Sequence, residues 1–129
     1  MNILLDTHIA LLAIVKPEKL PKKALELLCD NINDLYISIV FVWKVVIKHI
    51  RHPDKIPMSE FEYVNFCGLS EFYILPLKVE HVLSLYTLPE NVHKDPFDRI
   101  MIAQAKSEGF SLLMDDEKIS AYNEDCIIY

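Results

Sequence analysis

The sequence contains only 2 glycines and has no glycine-rich segment, so it lacks the loop with which many nucleotide-binding proteins cradle a phosphate. It also lacks a motif built around a nucleophilic serine or cysteine. With 2 glycines and 7 prolines, it is far from the composition of collagen-like or disordered chains. These absences argue against phosphate-loop enzymes and against serine or cysteine nucleophiles, and they favour an ordinary globular chain.

Cysteine pairs and long apolar runs are missing as well. The 3 cysteines, Cys29, Cys67 and Cys126, are an odd number, lie far apart and form no C-x-x-C pair. This pattern predicts neither a disulfide framework nor a zinc ribbon, and it favours a reducing compartment. No basic region precedes the first apolar run, and no uncharged run approaches the roughly 20 residues of a membrane-spanning helix. We therefore expect a cytoplasmic protein with no targeting segment and no membrane association.

Basic residues are fewer than acidic ones, with 13 Lys and Arg against 19 Asp and Glu, so the formal net charge is −6. This argues against a general nucleic-acid coat but says little about an enzyme that contacts only a few phosphates. An acidic site that holds a cation would also lower the net charge. The length of 129 residues, with 52% apolar and 25% charged residues, predicts a single domain over residues 1–129.

Short apolar runs alternate with amphipathic segments along the whole chain, and no Gly- or Ser-rich linker divides it. This alternation predicts an α/β fold in which a mostly parallel sheet carries helices on both sides. The predicted strands are 2–6, 35–40, 72–77, 110–116 and 126–129; the predicted helices are 7–15, 20–31, 39–50, 59–68, 79–89 and 95–109, with a helical turn at 117–122.

Five carboxylates fall where predicted strands end or predicted helices begin. Asp6 ends the first strand, Asp115 and Asp116 end a later one, and Asp95 and Asp98 open the helix that precedes it. In an open parallel sheet, ligands collect at the carboxyl ends of the strands. The fold class therefore allows carboxylates that are distant in sequence to meet at one edge.

Each carboxylate also has a purely structural interpretation. Asp6 is a candidate N-cap for the first helix, a role worth about 1 kcal/mol that Thr7 could also fill. Asp95 fits an N-cap better than a ligand, Asp98 would be favoured by the helix dipole, and residues 115–116 could form a turn. Taken together, however, they predict a site for Mg²⁺ or Mn²⁺, which prefer oxygen ligands, and hydrolysis of a phosphodiester.

Four segments then carry a resemblance to a family: "LLDTH" at 4–8, "YISIVFVWKVVIKH" at 36–49, "KDPFDRIMIAQAKSEG" at 94–109 and "LLMDDEKISAY" at 112–122. With these four segments in this order, the chain resembles the PIN-domain ribonucleases, and in particular the VapC-type toxins of toxin–antitoxin pairs. The resemblance implies a three-layer α/β/α domain in which clustered acidic residues hold Mg²⁺ or Mn²⁺ for endonucleolytic RNA cleavage. It also implies a cognate antitoxin and a homodimer.

Carried over by position, the resemblance assigns catalytic and metal-binding roles to three residues and supporting roles to two neighbours. The three are Asp6, Asp98 and Asp116, and the neighbours are Asp95, mainly structural, and Asp115. The fourth acidic position of the family, usually a Glu directly after a Trp, falls on Lys44.

Lys44 is therefore the main departure from the family pattern. A lone ammonium in the apolar run "IVFVWKVVIKHI" must either reach water or face negative charge. We expect it to pair with Asp6, Asp98 and Asp116, to occupy the place of the cation and to weaken divalent-ion affinity severely.

A second basic feature extends from Lys44, because Lys48 and Arg51 follow it on one helical face. This face is a candidate track for RNA phosphates, although an ordinary solvated helix face explains it as well. The 5 histidines show no metal-ligand spacing and are expected to be structural or exposed. We expect Trp43 to be part of the core rather than a platform for base stacking.

The residues leave several functions open. One is a metal-dependent endoribonuclease toxin, with activity reduced or abolished by Lys44, and another is an impaired PIN domain that only binds an antitoxin or RNA. A third is a toxin disarmed by an engineered or selected change at Lys44. Aspartyl-phosphate phosphatases and phospho-receiver domains fit less well. The phosphatases place a second Asp where this chain has His8, and a receiver needs an acidic pair near the first strand, where only Asp6 is available.

Overall fold

The computed structural model describes residues 1–55, 72–89, 95–114 and 126–128. The predicted helix at 59–68 and the helical turn at 117–122 lie outside these residues. None of the helices in the described segments is long and apolar enough to cross a membrane.

A parallel sheet forms the centre of the described structure. Its strands are β1 (Asn2–Leu5), β2 (Asp34–Ser38), β3 (Tyr73–Leu75), β4 (Ser111–Leu113) and β5 (Ile127–Ile128), in the spatial order β3-β2-β1-β4-β5. All four neighbouring pairs are parallel, with Leu4 opposite both Tyr36 and Leu112. The prediction of a mostly parallel central sheet is thus confirmed, and the strands are shorter than predicted.

The helices of the described residues are α1 (Thr7–Val15), α2 (Lys22–Cys29), α3 (Ile39–Arg51), α4 (Val79–Leu83) and α5 (Pro96–Glu108). Short 3₁₀ segments at Pro17–Lys19, Pro53–Lys55 and Ser84–Thr87 follow α1, α3 and α4. The helix predicted at 79–89 is therefore α-helical only in its first half. In its second half the Thr87 hydroxyl donates to the Ser84 carbonyl at 2.7 Å, a local bond that competes with regular α-helical pairing.

The termini of α5 follow the local signals of the sequence. Asp95 is the N-cap, and its Oδ1 accepts hydrogen bonds from the backbone N–H groups of Phe97 (2.9 Å) and Asp98 (3.4 Å). Pro96 occupies the first turn, where a missing N–H costs nothing. Gly109 ends the helix with a φ of 71°, a left-handed conformation that favours glycine.

Two hydrophobic clusters, one on each face of the sheet, complete three layers. Alternate residues of β1 point to opposite faces, so Ile3 and Leu5 join one cluster and Leu4 joins the other. The first cluster packs against α1, α2 and α3, and the second packs against α5. The expected α/β/α architecture is therefore confirmed, and α3 and α5 approach the sheet from opposite sides.

Candidate functional site

The carboxyl edge of the sheet has its topological switch point between β1 and β4. The chain moves from β1 through β2 to β3 and then returns to the other side of β1 to form β4. Ligands of open α/β sheets bind in the crevice at such a point. Asp6 lies there directly after β1, and its N–H donates to the Leu113 carbonyl of β4 at 3.0 Å.

Asp6 is buried, with 4% of its surface exposed, and it caps α1. Its Oδ1 accepts the N–H of Ile9 at 2.8 Å, so the cap of this helix is Asp6 rather than Thr7. The Thr7 side-chain oxygen is buried and has no hydrogen-bond partner among the described residues. Asp6 therefore caps the helix with one carboxylate oxygen. The same residue stands at the position where the family resemblance places a metal ligand.

Asp98 occupies the first turn of α5, also at the carboxyl edge. It is buried, with 9% exposure, and it lies where the N–H groups of the helix end favour negative charge. Asp95, the N-cap of the same helix, keeps Oδ1 on backbone N–H groups and directs Oδ2 towards α3. The mainly structural role expected for Asp95 is consistent with this geometry, but the residue also contributes charge to the site.

Lys44 reaches from α3 to these two carboxylates. Its Nζ lies 3.6 Å from Asp95 Oδ2, 3.7 Å from Asp98 Oδ1 and 5.8 Å from the centre of the Phe97 ring. Only 17% of the side chain is exposed. The ammonium therefore faces negative charge, as expected. The pairing with Asp98 was predicted, whereas the pairing with Asp95 was not.

The remaining predicted ligands, Asp115 and Asp116, lie outside the described residues. Within the part of the chain that the structure describes, no three histidine, cysteine or acidic side chains lie close enough together to hold a metal ion. An ammonium shared by Asp95 and Asp98 also repels a divalent cation at the same position. The described residues alone therefore do not complete a site for Mg²⁺ or Mn²⁺.

A groove with a volume of about 480 Å³ adjoins the site. One wall is the basic face of α3, with Lys44, Ile47, Lys48 and Arg51, and the groove also includes His52 just beyond the helix. The start of α5 forms the opposite wall through Asp95, Pro96 and Phe97. The three cations that were predicted to share one helical face therefore line a common concave surface.

Trp43 departs from its expected position in the core. It is 59% exposed and makes a T-shaped contact with Phe97, with ring centroids 5.0 Å apart and planes inclined by 72°. In α3 the buried positions are Val40, Phe41 and Val45, so the core-facing stripe passes to one side of Trp43. The prediction was wrong because an apolar run does not reveal which side of a helix another element covers.

A partly buried polar network behind the site was not predicted. His81 is fully buried, and its Nδ1 accepts the Lys78 backbone N–H at 3.1 Å, so Nε2 carries the hydrogen and donates to Glu108 Oε1 at 2.7 Å. Lys78 Nζ donates to the same oxygen at 3.1 Å. Hydrogen bonds from His81 and Lys78 lower the pKa of the Glu108 carboxyl below its ordinary value of 4.5.

Gln104 extends this network across the fold. Its Oε1 accepts from the Ser38 hydroxyl, and its Nε2 donates to the Pro76 carbonyl at 3.3 Å and to His81 Nδ1 at 3.4 Å. Ser38 Oγ in turn caps α3 by accepting the Val40 N–H at 3.0 Å. The network ties α5 to the start of the helix that carries Lys44. The sequence signal for it was one glutamine within the apolar stretch 100–105 of α5.

Comparisons with known proteins identify the family and the fold. Residues 3–125 match the PIN domain, and the chain therefore belongs to the PIN domain family. Members of this family are generally nucleases, and they typically use divalent metal ions. A comparison with curated proteins finds no significant match.

Solved structures share the fold at low sequence identity. VapBC2 from Rickettsia felis, bound to a DNA fragment from its promoter, superposes with a TM-score of 0.71 at 20% identity, covering 99% of this chain and 96% of the other. A toxin–antitoxin complex from Klebsiella pneumoniae gives a TM-score of 0.62 at 17% identity, covering 98% and 96%. At these identities, the two likenesses show the fold alone.

Proposed function

We propose that this chain is the toxin of a toxin–antitoxin pair, a cytoplasmic PIN-type endoribonuclease whose Mg²⁺- or Mn²⁺-dependent activity is strongly reduced by Lys44. Family membership supports the nuclease class, and the two similar structures support a cognate antitoxin. The proposed catalytic and metal-binding residues are Asp6, Asp98 and Asp116, with Asp95 and Asp115 as neighbours, in a single domain over residues 1–129. A homodimer remains part of this proposal.

The observation that carries the proposal is the pairing of Lys44 with Asp95 and Asp98 at 3.6 and 3.7 Å. One ammonium stands between two carboxylates and neutralises part of the charge that would attract a divalent ion. The Lys44 side chain is largely buried, at 17% exposure, so water screens this effect only partly. We infer that the scaffold of the nuclease is intact and that one side chain disarms it.

The same observation favours a second candidate function. If Lys44 holds the site permanently without metal, the protein is an impaired PIN domain that binds its antitoxin or RNA and does not cut. The two functions differ in one measurable property, which is the rate of RNA cleavage by the native sequence.

The test compares cleavage of a panel of structured RNAs in the presence of Mn²⁺ by three proteins. They are the native sequence, Lys44→Glu, and Lys44→Glu combined with Asp6→Asn. We expect Lys44→Glu to cut at least a hundredfold faster than the native sequence, and the double variant to lose that gain.

Two results would contradict the proposal. Equal cleavage by the native sequence and Lys44→Glu would show that the remaining carboxylates suffice and that Lys44 is a candidate phosphate ligand. No cleavage by any of the three, with each of them folded by circular dichroism, would favour the binding module.

A further inference from the structure

A histidine that the proposed function does not use lies buried between α4 and α5. His81 has 0% of its surface exposed, and both of its ring nitrogens are hydrogen-bonded. Histidine is the side chain whose charge ordinarily changes between about pH 5 and pH 8. The contacts of this ring therefore decide what a change of its protonation would do to the fold.

One charged group contacts the ring of His81 directly, and a second charged group holds the first. The Glu108 carboxylate of α5 accepts from Nε2 at 2.7 Å, and Lys78 Nζ, just before α4, donates to the same carboxylate oxygen at 3.1 Å. Hydrogen bonds from His81 and Lys78 lower the pKa of Glu108, so this carboxylate stays charged when histidines titrate. The 3₁₀ segment Ser84–Thr87, packed against both helices, contains Tyr86 as its one titratable residue, and that side chain is 89% exposed. A proton gained by the ring is therefore compensated by Glu108.

The other ring nitrogen determines which contacts would change. Nδ1 of the neutral ring accepts the Lys78 backbone N–H at 3.1 Å and a hydrogen from Gln104 Nε2 at 3.4 Å. A protonated Nδ1 would present its hydrogen to these two donors, so both contacts would become unfavourable. Rotation of the Gln104 amide by half a turn relieves one of them, because it places the acceptor Oε1 where the donor Nε2 was.

This rotation would reach the N-cap of α3. In the structure the Ser38 hydroxyl donates to Gln104 Oε1 and accepts the Val40 N–H at 3.0 Å. After rotation, Gln104 Nε2 donates to Ser38 Oγ, which then accepts two hydrogens while its own hydrogen loses its acceptor. Ser38, His81 and Gln104 are all 0% exposed, so water does not replace the lost bonds. Protonation of His81 therefore weakens the cap of α3.

A weaker cap affects the contact between α3 and α5. Backbone N–H groups in the first turn of α3 lose part of their hydrogen bonding, and the helix can shift or fray at this end. Trp43 and Lys44 lie in the next turn of α3. Trp43 contacts Phe97 of α5 with ring centroids 5.0 Å apart, and Lys44 Nζ lies 3.6 Å from Asp95. The two helices meet through these side chains, so a movement of the α3 start is transmitted to the carboxyl edge.

We propose that Ser38, Gln104 and His81, called here the Ser38–His81 network, form a pH-sensitive device within the fold. Protonation of His81 at Nδ1 turns the Gln104 amide, weakens the Ser38 cap and shifts the start of α3 relative to α5. One proton is taken up from solvent, and otherwise only hydrogen bonds change. The inference goes beyond the proposed function, because it concerns the arrangement of two helices whether or not the protein cleaves RNA.

The first experiment is an NMR titration of the ¹⁵N-labelled protein from about pH 8 to about pH 5. Long-range ¹H–¹⁵N correlations report the tautomer and the charge of the 5 histidine rings, and His81→Gln identifies the His81 signal. We expect a neutral His81 ring with its hydrogen on Nε2 at the upper end and a charged ring at the lower end. The Val40 amide signal and the indole signal of Trp43, the single tryptophan, should shift with the same midpoint.

Two variants separate transmission through the network from the direct effect of a nearby charge. Gln104→Met removes the amide, and Ser38→Ala removes the hydroxyl that joins the amide to α3. In each variant the His81 ring should still titrate, whereas the Val40 amide signal should lose most of its pH-dependent shift. Because Gln104→Met also removes buried hydrogen bonds, Ser38→Ala decides the question if the Gln104→Met spectrum is not that of a folded protein.

A matched control removes a histidine that lies on the other end of α3. His52→Gln changes an exposed residue just beyond this helix, close to the groove, and leaves the Ser38–His81 network intact. The midpoint shared by His81 and the Val40 amide should be unchanged in this variant. His81→Gln, in contrast, should abolish the shift of the Val40 amide over the same pH range.

Three results would overturn the inference. The first is a His81 ring that keeps one charge state throughout the titration, as expected for a purely structural histidine. The second is a Val40 amide and a Trp43 indole that do not follow the His81 midpoint. The third is a Val40 shift of native size in the folded network variants, which would show a direct effect of charge. Each result leaves the proposed function untouched, because none of these measurements depends on RNA cleavage or on a divalent ion.

Discussion

Two regions of this protein hold a basic side chain against carboxylates, and their hydrogen bonding differs. In the network behind the site, His81 donates to Glu108 at 2.7 Å and its other ring nitrogen is also hydrogen-bonded. At the carboxyl edge, Lys44 lies at 3.6 and 3.7 Å from Asp95 and Asp98, beyond ordinary hydrogen-bond length. The first region has the geometry of a structural hydrogen-bond network. In the second region, the Lys44 ammonium occupies a position that another cation could occupy.

Burial of a charged side chain therefore does not by itself distinguish a structural role of that residue from a functional one. Short bonds that satisfy each polar atom stabilise one arrangement of the fold. Longer contacts, shared by one ammonium between two carboxylates, balance charge but fix no unique geometry. We therefore expect changes at the carboxyl edge to alter ligand binding and changes in the network to alter stability.

The largest expected effect concerns divalent-ion affinity. Lys44→Glu changes the local charge by two units beside Asp98, and one unit charge at 4 Å contributes about 4 kcal/mol at an effective dielectric constant of 20. Allowing for partial screening, we expect Mn²⁺ to bind Lys44→Glu on the order of a hundredfold more tightly than the native chain in a calorimetric titration. Lys44→Gln, which removes one charge only, should have an intermediate affinity for Mn²⁺. Equal affinities of all three proteins would contradict a role of the carboxyl edge in ligand binding.

The next effect concerns stability. Gln104→Leu removes both hydrogen-bonding ends of a fully buried side chain and leaves the Ser38 hydroxyl and the Pro76 carbonyl without this partner. We expect the free energy of unfolding to fall by about 2–4 kcal/mol, measured by urea denaturation. Ser107→Ala, on an exposed position of α5, should change it by less than about 0.5 kcal/mol. A Gln104→Leu protein as stable as the native one would contradict a structural hydrogen-bond network.

The smallest effect is the pH dependence of the Glu108 contribution. Because its pKa is lowered in the folded state, the stabilisation is present above the ordinary value of 4.5 and is lost as the pH falls through the folded-state pKa. Glu108→Gln should therefore destabilise the fold at pH 7, by less than about 1 kcal/mol because solvent screens the partly exposed Glu108–Lys78 pair, and progressively less below pH 4.5. Urea denaturation at pH 7 and at pH 3.5 measures both values, and a cost that is the same at both would argue against a charged role for Glu108.

Local signals accounted for much of the fold. The cap at Asp95, the proline after it and the glycine that ends α5 all act within a few residues, so their sequence pattern determines the helix ends. For α1 the sequence left the cap open between Asp6 and Thr7, and the structure has Asp6 as the cap. Strand lengths were predicted less well, because pairing with a neighbouring strand ends where that neighbour turns away.

The candidate site was predictable only in part. The positions of Asp6 and Asp98 at the carboxyl edge follow from the α/β pattern and from the family resemblance. The pairing of Lys44 with Asp95, the exposure of Trp43 and the burial of His81 did not follow from either. Roles for Asp115 and Asp116 stay predictions, because these residues lie outside the described part of the chain.

By itself, the sequence determined the alternation of strands and helices, the ends of α5 and the unusual lysine at an acidic family position, because these depend on neighbouring residues or on a positional match. The tertiary structure alone decided which carboxylates Lys44 faces, which face of α3 borders the groove and which polar groups are joined behind it. Those features depend on α3 and α5 meeting from opposite sides of the sheet, with more than forty residues of chain between them, and no local pattern records that contact.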